Sequence, residues 1–494
     1  MPETSLRTQL AVVGAGPAGL AAAVTAADAG LDVALIDAGA QPGGQYWRHP
    51  DESYPAPEEG AGQHDWATFT DLRRRLRQHT AAGTITYLPN HQVWLLQCAG
   101  GTTVVHLSPT LDLPAGVPEP RRVPRVEAEE LILCPGGYDR QLPIPGWDLP
   151  GVMAAGGVQA LLKGHRTLAG QRAVVAGTGP FLLPVASALA HAGAGVAAVC
   201  EANSPTGWLN NLRGASQTPG KALEGVEYAA ILARHRIPYR IRTAITAIHG
   251  ETEVQAVTTS KLDAAGRAIP GTQRRTAVDL VALGWGFTPA LELVLAAGAD
   301  TVRDVDGSLI AVVDDEQRTT VPGVRAAGEA TGIGGAMLAV KEGELAARSL
   351  AAQVGLATDP ARTGRLKRAI RRARSFAAAM HRANPVPARW YDWLTPETVV
   401  CRCEEVSYAS VCTAHTELGA REPRSVRSLA RTGMGWCQGR VCGFATADIV
   451  AGLQGRTSTA EDLRPMSWRQ LAAPVSLGQL AGLENSDIDA NQEP

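Results

Sequence analysis

The apolar positions at the start of the chain follow a strand pattern, then a helical pattern, then a strand pattern again. A buried strand is predicted at residues 10–13, a glycine-rich turn at 14–19, a helix at 20–29 and a second strand at 33–37. A short apolar run, a glycine turn and an apolar helical period in this order are typical of a β-α-β unit with parallel strands. The N-terminus therefore predicts an α/β nucleotide-binding fold.

The same pattern returns in the middle of the chain. A strand is predicted from residue 173, a turn at 177–179, a helix at 181–191 and a further strand at 195–200. Residues 317–346 then return to a pattern that belongs with the first unit. We therefore expect two Rossmann-like dinucleotide-binding domains, of which the first is discontinuous.

The length of 494 residues suggests about three domains. The patterns divide the chain into a first nucleotide-binding domain at 1–150 and 276–355, a second at 151–275, a basic helical connector at 356–395, a small cysteine-bearing domain at 396–455 and a C-terminal tail at 456–494. Each nucleotide-binding part is large enough to bury a core of its own.

The connector combines an apolar helical face with a basic run. Leu366, Ile370, Ala373, Ala377 and Met380 mark the apolar face by their spacing. Seven arginines and lysines crowd residues 362–374 without any acid. A run of this kind is most often a solvated helix face, and docking to an acidic partner subunit is the functional alternative.

The first glycine turn has the spacing of a dinucleotide-binding fingerprint. Its first glycine makes the tight turn, its second lets the backbone approach a pyrophosphate, and its third brings the helix close to the sheet. The start of the helix adds positive potential for the phosphates, and an acid at the end of the next strand can accept ribose hydroxyls. The predicted contacts are Gly14, Gly16, Pro17, Ala18, Gly19 and Asp37.

Two further segments favour a flavin over a nicotinamide at this site. Gly44 and Gln45 lie in a loop just after Asp37, and the glycines of this loop allow backbone contact with a flat ring system. Gly328 and Glu329 precede a glycine-rich helix start. The acid can hold the ribityl or pyrophosphate side, and the helix start can face a flavin carbonyl oxygen. An ordinary surface strand and turn is the alternative.

The second glycine turn departs from the fingerprint. Gly177 and Gly179 are present, but Leu182 replaces the third glycine and should push the helix away from the strand. Glu201 ends the next strand in the place of a ribose-binding acid and would repel a 2′-phosphate. The sequence leaves three occupants open: NAD, an adenine nucleotide kept for structure, or none.

Four of the eight cysteines form two close pairs, Cys401 with Cys403 and Cys437 with Cys442. Four thiolates on glycine-flanked loops suit an iron–sulfur cluster. A structural zinc site also needs four thiolates, but the Cys-x-Cys spacing is unusual for zinc. The spacing therefore favours a cluster over zinc and indicates a protein that carries electrons.

The other cysteines and the charge balance indicate an ordinary cytoplasmic protein. Cys98, Cys134, Cys200 and Cys412 stand singly, which predicts reduced core thiols. Cys412 lies between the two pairs, so an alternate ligand is the other interpretation of this residue, and a core thiol is favoured. A net charge of −2 gives no reason to expect binding to nucleic acid or to an anionic membrane surface. Neither a membrane span nor a signal peptide is expected.

The paired motifs resemble a known superfamily. The GAGPAGL turn, the QPGGQ loop, LILCPGGYDR at 131–140 and the AAGEATGIGG segment resemble the thioredoxin-reductase-like flavoproteins with two dinucleotide-binding domains. The cysteine domain resembles the small α-helical 2Fe–2S domain of the bacterioferritin-associated-ferredoxin type (BFD-like). The combination is similar to the larger subunits of heteromeric amine dehydrogenases, such as those of hydrogen cyanide synthase, opine oxidase, and L-proline or D-hydroxyproline dehydrogenase.

This resemblance implies cofactors and partners. It implies FAD in the first domain and a 2Fe–2S cluster on Cys401, Cys403, Cys437 and Cys442. It also implies a hetero-oligomer in which a D-amino-acid-oxidase-type flavoprotein β subunit oxidises the amine. A small ferredoxin-like subunit, and an FMN at a subunit interface, are further members that the resemblance leaves open.

The predicted function is electron transfer within a heteromeric amine or imino-acid dehydrogenase of the opine, proline, hydroxyproline or glycine type. Electrons would pass from the partner through the cluster and FAD to an acceptor, and no residue of this chain is predicted to be a catalytic acid, base or nucleophile. One alternative is a stand-alone NADH-dependent reductase, and another is a scaffold with structural nucleotides. Disulfide reduction is not expected, because the second domain contains no Cys-x2-Cys pair.

Overall fold

The computed structural model describes residues 5–53, 60, 62–99, 101–110, 123–211, 214, 216–217, 220–481 and 483. The acidic end of the predicted tail, from residue 484, lies outside these residues. No helix in the described ranges is both long enough and apolar enough to cross a membrane.

The strands, in chain order, are β1 Leu6–Val13, β2 Val33–Ile36, β3 Ile85–Leu88, β4 His91–Ala99, β5 Thr102–Pro109, β6 Arg125–Leu133, β7 Gly137–Asp139, β8 Val152–Ala154, β9 Arg172–Gly177, β10 Gly195–Glu201, β11 Tyr239–Ile241, β12 Thr243–His249, β13 Ala256–Lys261, β14 Arg274–Ala277, β15 Leu280–Gly284, β16 Phe287–Pro289, β17 Thr301–Arg303, β18 Leu309–Ala311, β19 Val324–Ala326, β20 Val399–Cys401 and β21 Val406–Ser407.

The α-helices are α1 Pro17–Asp28, α2 Trp66–Ala82, α3 Ala155–His165, α4 Leu182–His191, α5 Gly220–Arg234, α6 Glu292–Ala296, α7 Ala336–Gln353, α8 Pro360–Ala383, α9 Tyr408–Thr416, α10 Pro423–Ala430, α11 Gly443–Leu453, α12 Ala460–Ser467 and α13 Leu477–Ala481. Short 3-10 helices lie at Pro205–Asn211, Gly328–Thr331 and Trp390–Trp393.

The first domain is built on a seven-stranded sheet of order β3-β2-β1-β6-β5-β4, with β19 paired to β6. Strands β3, β2, β1, β6 and β19 are parallel, and β5 and β4 extend the sheet in antiparallel fashion. Helices α1, α2 and α7 cover one face of the sheet, while β4, β5, α6 and α12 contribute to the core on the other face. Because β19 returns to this sheet, the first domain is discontinuous, as the sequence predicts.

The second domain carries a five-stranded parallel sheet of order β11-β10-β9-β15-β8. Helices α3, α4 and α5 pack on one face, and the antiparallel strands β12 and β13 pack on the other. The predicted domain boundary after residue 275 is wrong, because β15 pairs with β9 and β8 and so extends this domain to Gly284. A short apolar run such as β15 suits either parallel sheet, so its sequence does not assign it.

The cysteine domain is a small helical unit that packs against both larger domains. Its residues share one core with the second domain and contribute to the core of the first. Helix α12 lies within the predicted tail, but Leu463 and Met466 are buried in the core of the first domain. Helix α12 therefore belongs to the packed structure, although the sequence predicts that the cysteine domain ends at residue 455.

The single cysteines occupy different environments. Cys134 and Cys200 are buried, as expected of core thiols, and burial raises the pKa of both. Cys98 is exposed on β4, so the prediction of a core thiol is wrong there. Cys412 is partly buried on α9, and burial raises its pKa as well.

Helices α1 and α7 cross at a glycine. A Cβ placed on Gly343 of α7 would lie 1.9 Å from the carbonyl oxygen of Ala18, well inside van der Waals contact. The close approach holds the start of α7 beside the first glycine turn. A side chain at this position must therefore separate the two helices.

We expect Gly343→Ala to lower the free energy of unfolding by about 1–3 kcal/mol, because the added methyl group overpacks the α1–α7 contact. Gly364→Ala on α8 is the matched control, since a Cβ there meets only Arg368 Nη1 at 3.6 Å. That control should be neutral or stabilising by up to about 1 kcal/mol, since alanine favours helix. Urea unfolding of the two variants measures the difference, and equal stabilities would contradict the helix contact described here.

Candidate functional site

The glycine turn between β1 and α1 leaves no room for a side chain at Gly14 or at Gly19. Gly14 has a φ of +99°, and a Cβ there would lie 2.2 Å from the carbonyl oxygen of Cys134. A Cβ on Gly19 would lie 1.7 Å from the carbonyl oxygen of Gly14. Helix α1 begins at Pro17, directly after Gly16, and no side chain caps its N-terminus. The first N–H groups of α1 are thus available for an anion.

Two distant segments lie against this turn, as the sequence predicts. Gly44, with a φ of +60°, approaches Gly16 so closely that a Cβ on Gly44 would be 2.8 Å from the Cα of Gly16. Gly328 lies against Ala18, with its ideal Cβ 3.0 Å from the Cβ of that residue. The three segments form one backbone-lined cradle, which we call the first nucleotide site.

Asp37 and Tyr87 form the far end of the first nucleotide site, where β2 and β3 end side by side. Burial raises the pKa of Asp37 to about 6, although N–H groups of Ala15, Gly39 and Ala38 donate to its carboxylate. The buried hydroxyl of Tyr87 has no hydrogen-bond partner among the described residues. Burial, followed by the charge of Asp37, raises its pKa. An acid beside an unsatisfied hydroxyl fits the ribose and adenine end of FAD.

We expect FAD affinity to fall below about pH 6 and Asp37→Asn to remove this dependence. Ribose hydroxyls donate more strongly to an ionised carboxylate than to a neutral acid, so bound FAD favours the ionised form of Asp37. The affinity is then complete above the raised pKa of about 6 and is lost as the pH falls through it. Equilibrium dialysis of the apoprotein on either side of pH 6 measures this, and a flat profile in the wild type would contradict the role of Asp37.

Gln45 and Glu329 take different positions from the rest of the predicted set. Gln45 is exposed, and its Oε1 accepts a hydrogen bond from Arg48 Nη2 at 2.7 Å. Glu329 turns inward and accepts from the N–H groups of Gly334 at 2.9 Å and Gly335 at 3.0 Å. Burial raises the pKa of Glu329 to about 7. Glu329 thus orders the backbone at the start of α7, the helix predicted to face the flavin.

An ion pair that the sequence did not predict, between a partly exposed arginine and a buried glutamate, supports this segment. Arg374 of α8 lies 2.6 Å from Glu342 of α7 and donates to Thr331 Oγ1 at 2.6 Å and to the carbonyl oxygen of Gly332 at 2.5 Å. Glu342 also accepts from the N–H of Gly328 at 3.0 Å. Burial raises the pKa of Glu342, against the effect of Arg374. The pair thus connects the connector helix α8 to the backbone of residues 328–332, which we call the flavin-side backbone.

Other cations of the connector also face acids of the first domain. Arg362 pairs with Glu344 at 2.7 Å, and Lys367 pairs with Asp315 at 3.0 Å. The prediction of a solvated helix face therefore holds for only part of α8. The sequence did not reveal the ion pairs, because the acids lie in other segments of the chain. Arg368, Arg371 and Arg372 are exposed, with no ion pair among the described residues.

The second glycine turn lies beside Glu201, as the sequence pattern suggests, but the N–H of Gly179 in this turn already donates to the Glu201 carboxylate. The carboxylate of Glu201 accepts from the N–H of Gly179 at 2.8 Å and from the N–H of Asn203 at 2.9 Å. Glu201 is only 3% exposed, and burial raises its pKa. Leu182, in the place of the third glycine, is fully buried, and a Cβ on Gly284 would lie 2.9 Å from its Cδ2.

The four predicted cluster cysteines approach one another in two pairs. The thiols of Cys401 and Cys442 are hydrogen-bonded, and so are those of Cys403 and Cys437. Cys401 and Cys442 are buried, whereas Cys403 is exposed. Over the described ranges, no three histidine, cysteine or acidic side chains are placed to hold a single metal ion. The charges of Cys403 and Cys437 also act on Cys442, so the four thiols converge in one loop region.

Backbone N–H groups donate to Cys401, one of the two buried cysteines. The hydrogen bond from Cys442, followed by N–H donors of Gly433, Glu404 and Cys403, lowers the pKa of Cys401 to about 6. The loop folds tightly, since a Cβ on Gly435 would lie 2.2 Å from the Cβ of Cys403. N–H donors aimed at sulfur stabilise thiolates, so the donor set fits an iron–sulfur cluster.

The cysteine loop is fastened to the first domain. Arg440, within the loop, pairs with Glu292 of α6 at 2.8 Å. The guanidinium of Arg140 lies 4.3 Å from the ring centroid of Phe444 and pairs with Asp306 at 2.8 Å. These contacts fix the cysteine domain relative to the first nucleotide site.

The fold and its first site define a class: flavoprotein oxidoreductases with two nucleotide-binding domains in one chain. The chain belongs to the pyridine nucleotide-disulphide oxidoreductase family, whose family model matches residues 8–343. Membership of this family indicates that the chain binds FAD.

Curated relatives match almost the whole chain. The opine oxidase A subunit of Rhizobium meliloti is 29% identical over 96% of this chain and 87% of its own length. The hydrogen cyanide synthase subunit HcnB of Pseudomonas aeruginosa is 30% identical over 97% of this chain and 99% of its own. The sarcosine oxidase alpha subunit of Corynebacterium sp. strain P-1 is 25% identical over 98% of this chain but only 46% of its own. The predicted resemblance to the larger subunits of heteromeric amine dehydrogenases is confirmed.

Solved structures share the fold. L-proline dehydrogenase from P. horikoshii superimposes with a TM-score of 0.67 at 19% identity, covering 97% of this chain and 80% of that one. Thioredoxin reductase from T. acidophilum gives a TM-score of 0.50 at 22% identity, covering 70% of this chain and 99% of that one. The thioredoxin-reductase-like part of the predicted fold is therefore confirmed, while the cofactor of the cysteine domain stays a prediction.

Proposed function

We propose that this chain is the FAD- and 2Fe–2S-bearing electron-transfer subunit of a heteromeric amine or imino-acid dehydrogenase. A partner flavoprotein subunit of the D-amino-acid-oxidase type oxidises the substrate, and this chain receives the electrons and passes them to an acceptor. The relatives are named as subunits of opine oxidase, hydrogen cyanide synthase and sarcosine oxidase, which supports the heteromeric part of the proposal. An FMN at the interface and a small ferredoxin-like subunit remain predictions from sequence.

The convergence of the four cysteines, with backbone N–H donors at Cys401, is the observation that carries the cluster. A [2Fe–2S] cluster has four thiolate ligands divided between two irons. Cys401, Cys403, Cys437 and Cys442 would supply these thiolates. A structural zinc ion would take four thiolates as well. The Cys-x-Cys spacing of Cys401 and Cys403 is unusual for zinc and favours the cluster.

The two sites suit a change from two-electron to one-electron transfer. When bound, FAD exchanges two electrons with an organic donor or carrier, and the cluster exchanges one at a time. Cys403 is exposed, and Trp436, next to Cys437, has 82% of its surface exposed. The cluster end of the chain is thus open to a partner protein, while Asp37, Tyr87 and the glycine turn hold the nucleotide inside.

Electron titration of the purified chain tests this proposal. We expect the chain alone to stay oxidised when proline, glycine or an opine is added anaerobically, because substrate oxidation takes place on the partner. Dithionite should then deliver about three electrons per chain, two to the flavin and one to the cluster. Bleaching of the flavin by an amine in the absence of a partner would overturn the division of labour proposed here.

A further inference from the structure

The connector does not end at α8 but continues across the second nucleotide-binding fold. Thr178 Oγ1, in the glycine turn, donates to the carbonyl oxygen of Asn384 at 3.1 Å. Asn203 Nδ2 donates to the carbonyl oxygen of Pro385 at 2.9 Å and to Thr178 Oγ1 at 2.6 Å. An ideal Cβ on Gly179 lies 3.8 Å from the Cβ of Asn384. The chain therefore lies directly over the turn that would receive a pyrophosphate.

The second domain holds this crossing segment before it reaches the turn. The rings of Trp208 and Phe376 pack with centroids 6.0 Å apart. A Cβ on Gly207 would lie 2.6 Å from the carbonyl oxygen of Ala383, so backbone meets backbone there. The segment consequently enters the turn region already in close contact with the second domain.

The segment is held equally closely after the turn. A Cβ on Gly266 would lie 2.6 Å from the Cβ of Pro387. The N–H of Arg389 donates to the carbonyl oxygen of Ala265 at 3.1 Å, and Trp393 Nε1 donates to that of Gly266 at 3.1 Å. With contacts on both sides of the turn, residues 384–387 lie against the domain as a strap.

The turn beneath the strap offers a dinucleotide few free hydrogen-bonding groups. Its Gly179 N–H is bonded to Glu201, so this N–H is not available to a phosphate. The carbonyl oxygens of Asn384 and Pro385 lie beside the turn, bonded to Thr178 and Asn203, and their negative partial charge disfavours an anion there. The usual binding groups are thus spent on contacts within the chain.

We infer that residues 384–387 are a strap that closes the second nucleotide site, and that this fold serves to dock the connector and its cysteine domain instead of binding NAD or an adenine nucleotide. The strap continues into the 3-10 helix Trp390–Trp393, whose two tryptophans are buried in the core shared with the cysteine domain. Docking the strap therefore also fixes the cysteine domain. This inference does not depend on the identity of the metal or of the amine.

A cross-link tests whether the strap is seated in solution. The 3.8 Å Cβ separation equals the mean for a disulfide, so Gly179→Cys combined with Asn384→Cys should oxidise to a disulfide in most molecules. NADH and ADP are then titrated by calorimetry into the FAD-loaded wild type and into the oxidised and reduced variant. We expect no binding in any of them. Two results would overturn the inference. In the first, NADH or ADP binds the wild type and fails to bind the oxidised variant; in the second, either nucleotide binds the wild type and both forms of the variant.

A second variant avoids a side chain at the strained position of Gly179. Thr178→Val removes the hydroxyl that holds Asn384 while keeping the shape of the side chain. We expect tryptic cleavage after the exposed Arg382 to become roughly fivefold faster or more, because the hydroxyl that bonds the strap carbonyls of Asn384 and Pro385 is lost. Thr206→Val, at an exposed threonine of the same domain, is the control. Equal cleavage of Thr178→Val and the wild type would contradict a strap held at Thr178.

Discussion

Arg374→Ala is expected to lower the free energy of unfolding by about 3 kcal/mol and to release most of the bound FAD. Arg374 carries the positive charge that faces Glu342, and the carboxylate side chain of Glu342 is only 1% exposed. Without its partner, Glu342 becomes an uncompensated buried charge, which costs more than the pair itself contributes. The same change frees the carbonyl oxygen of Gly332 and the hydroxyl of Thr331. The flavin-side backbone then loses the contact that ties it to α8.

Urea unfolding and the flavin absorbance that survives gel filtration measure the two effects. Arg372→Ala is the matched control, because Arg372 is an exposed arginine of the same helix without an ion pair among the described residues. Combining Arg374→Ala with Glu342→Gln should restore part of the stability, because the stranded charge is removed. If Arg374→Ala and Arg372→Ala are equally stable and retain equal flavin, the pair does not support the flavin site.

Replacing any one of the four paired cysteines by serine is expected to leave less than about a tenth of the wild-type iron and inorganic sulfide. In the proposed cluster each thiolate would be one of only two protein ligands of its iron, so losing one would open the cluster to solvent and to hydrolysis. Cys401 and Cys442 also belong to the core shared with the second domain, so their variants should lose stability as well. The flavin should remain in all four variants, because the first nucleotide site lies in another domain.

Cys412→Ser is the control for these variants. Cys412 lies on α9 between the two pairs in sequence, and its thiol is hydrogen-bonded to Tyr408 rather than to the quartet. We expect this variant to keep its full iron content, measured by metal analysis with inorganic sulfide determined in parallel. A loss of iron in Cys412→Ser, together with its retention in Cys442→Ser, would exchange the roles of the two residues.

The parts of the fold that the sequence predicts well depend on local signals. A strand, a glycine turn and a helix are adjacent in the chain, so the first nucleotide site could be placed from Gly14 to Asp37 without tertiary information. The positions of Gly44 and Gly328 against the turn were also predictable, because backbone contact requires glycine there. The boundary near residue 275 could not be placed, since β15 fits either parallel sheet by composition.

The features that were missed depend on pairs of residues far apart in the chain. Arg374 lies in a basic run that looks solvated, and only the packing of α8 on α7 shows that it faces Glu342. Tyr87 carries no motif, and its hydroxyl matters only because β3 lies beside β2. The strap over Thr178 joins residues about two hundred positions apart, which no local pattern records.

Metal, sulfide and flavin analysis of the anaerobically purified chain shows whether the cysteine domain carries an iron–sulfur cluster beside the flavin. The proposed electron-transfer subunit should contain two irons, two inorganic sulfides and one FAD per chain, and one-electron reduction should produce the paramagnetic signal of a reduced [2Fe–2S] cluster. One zinc per chain without sulfide would rule out the proposed 2Fe–2S cluster. The cysteine domain would then be structural, and the chain would carry electrons through its flavin alone.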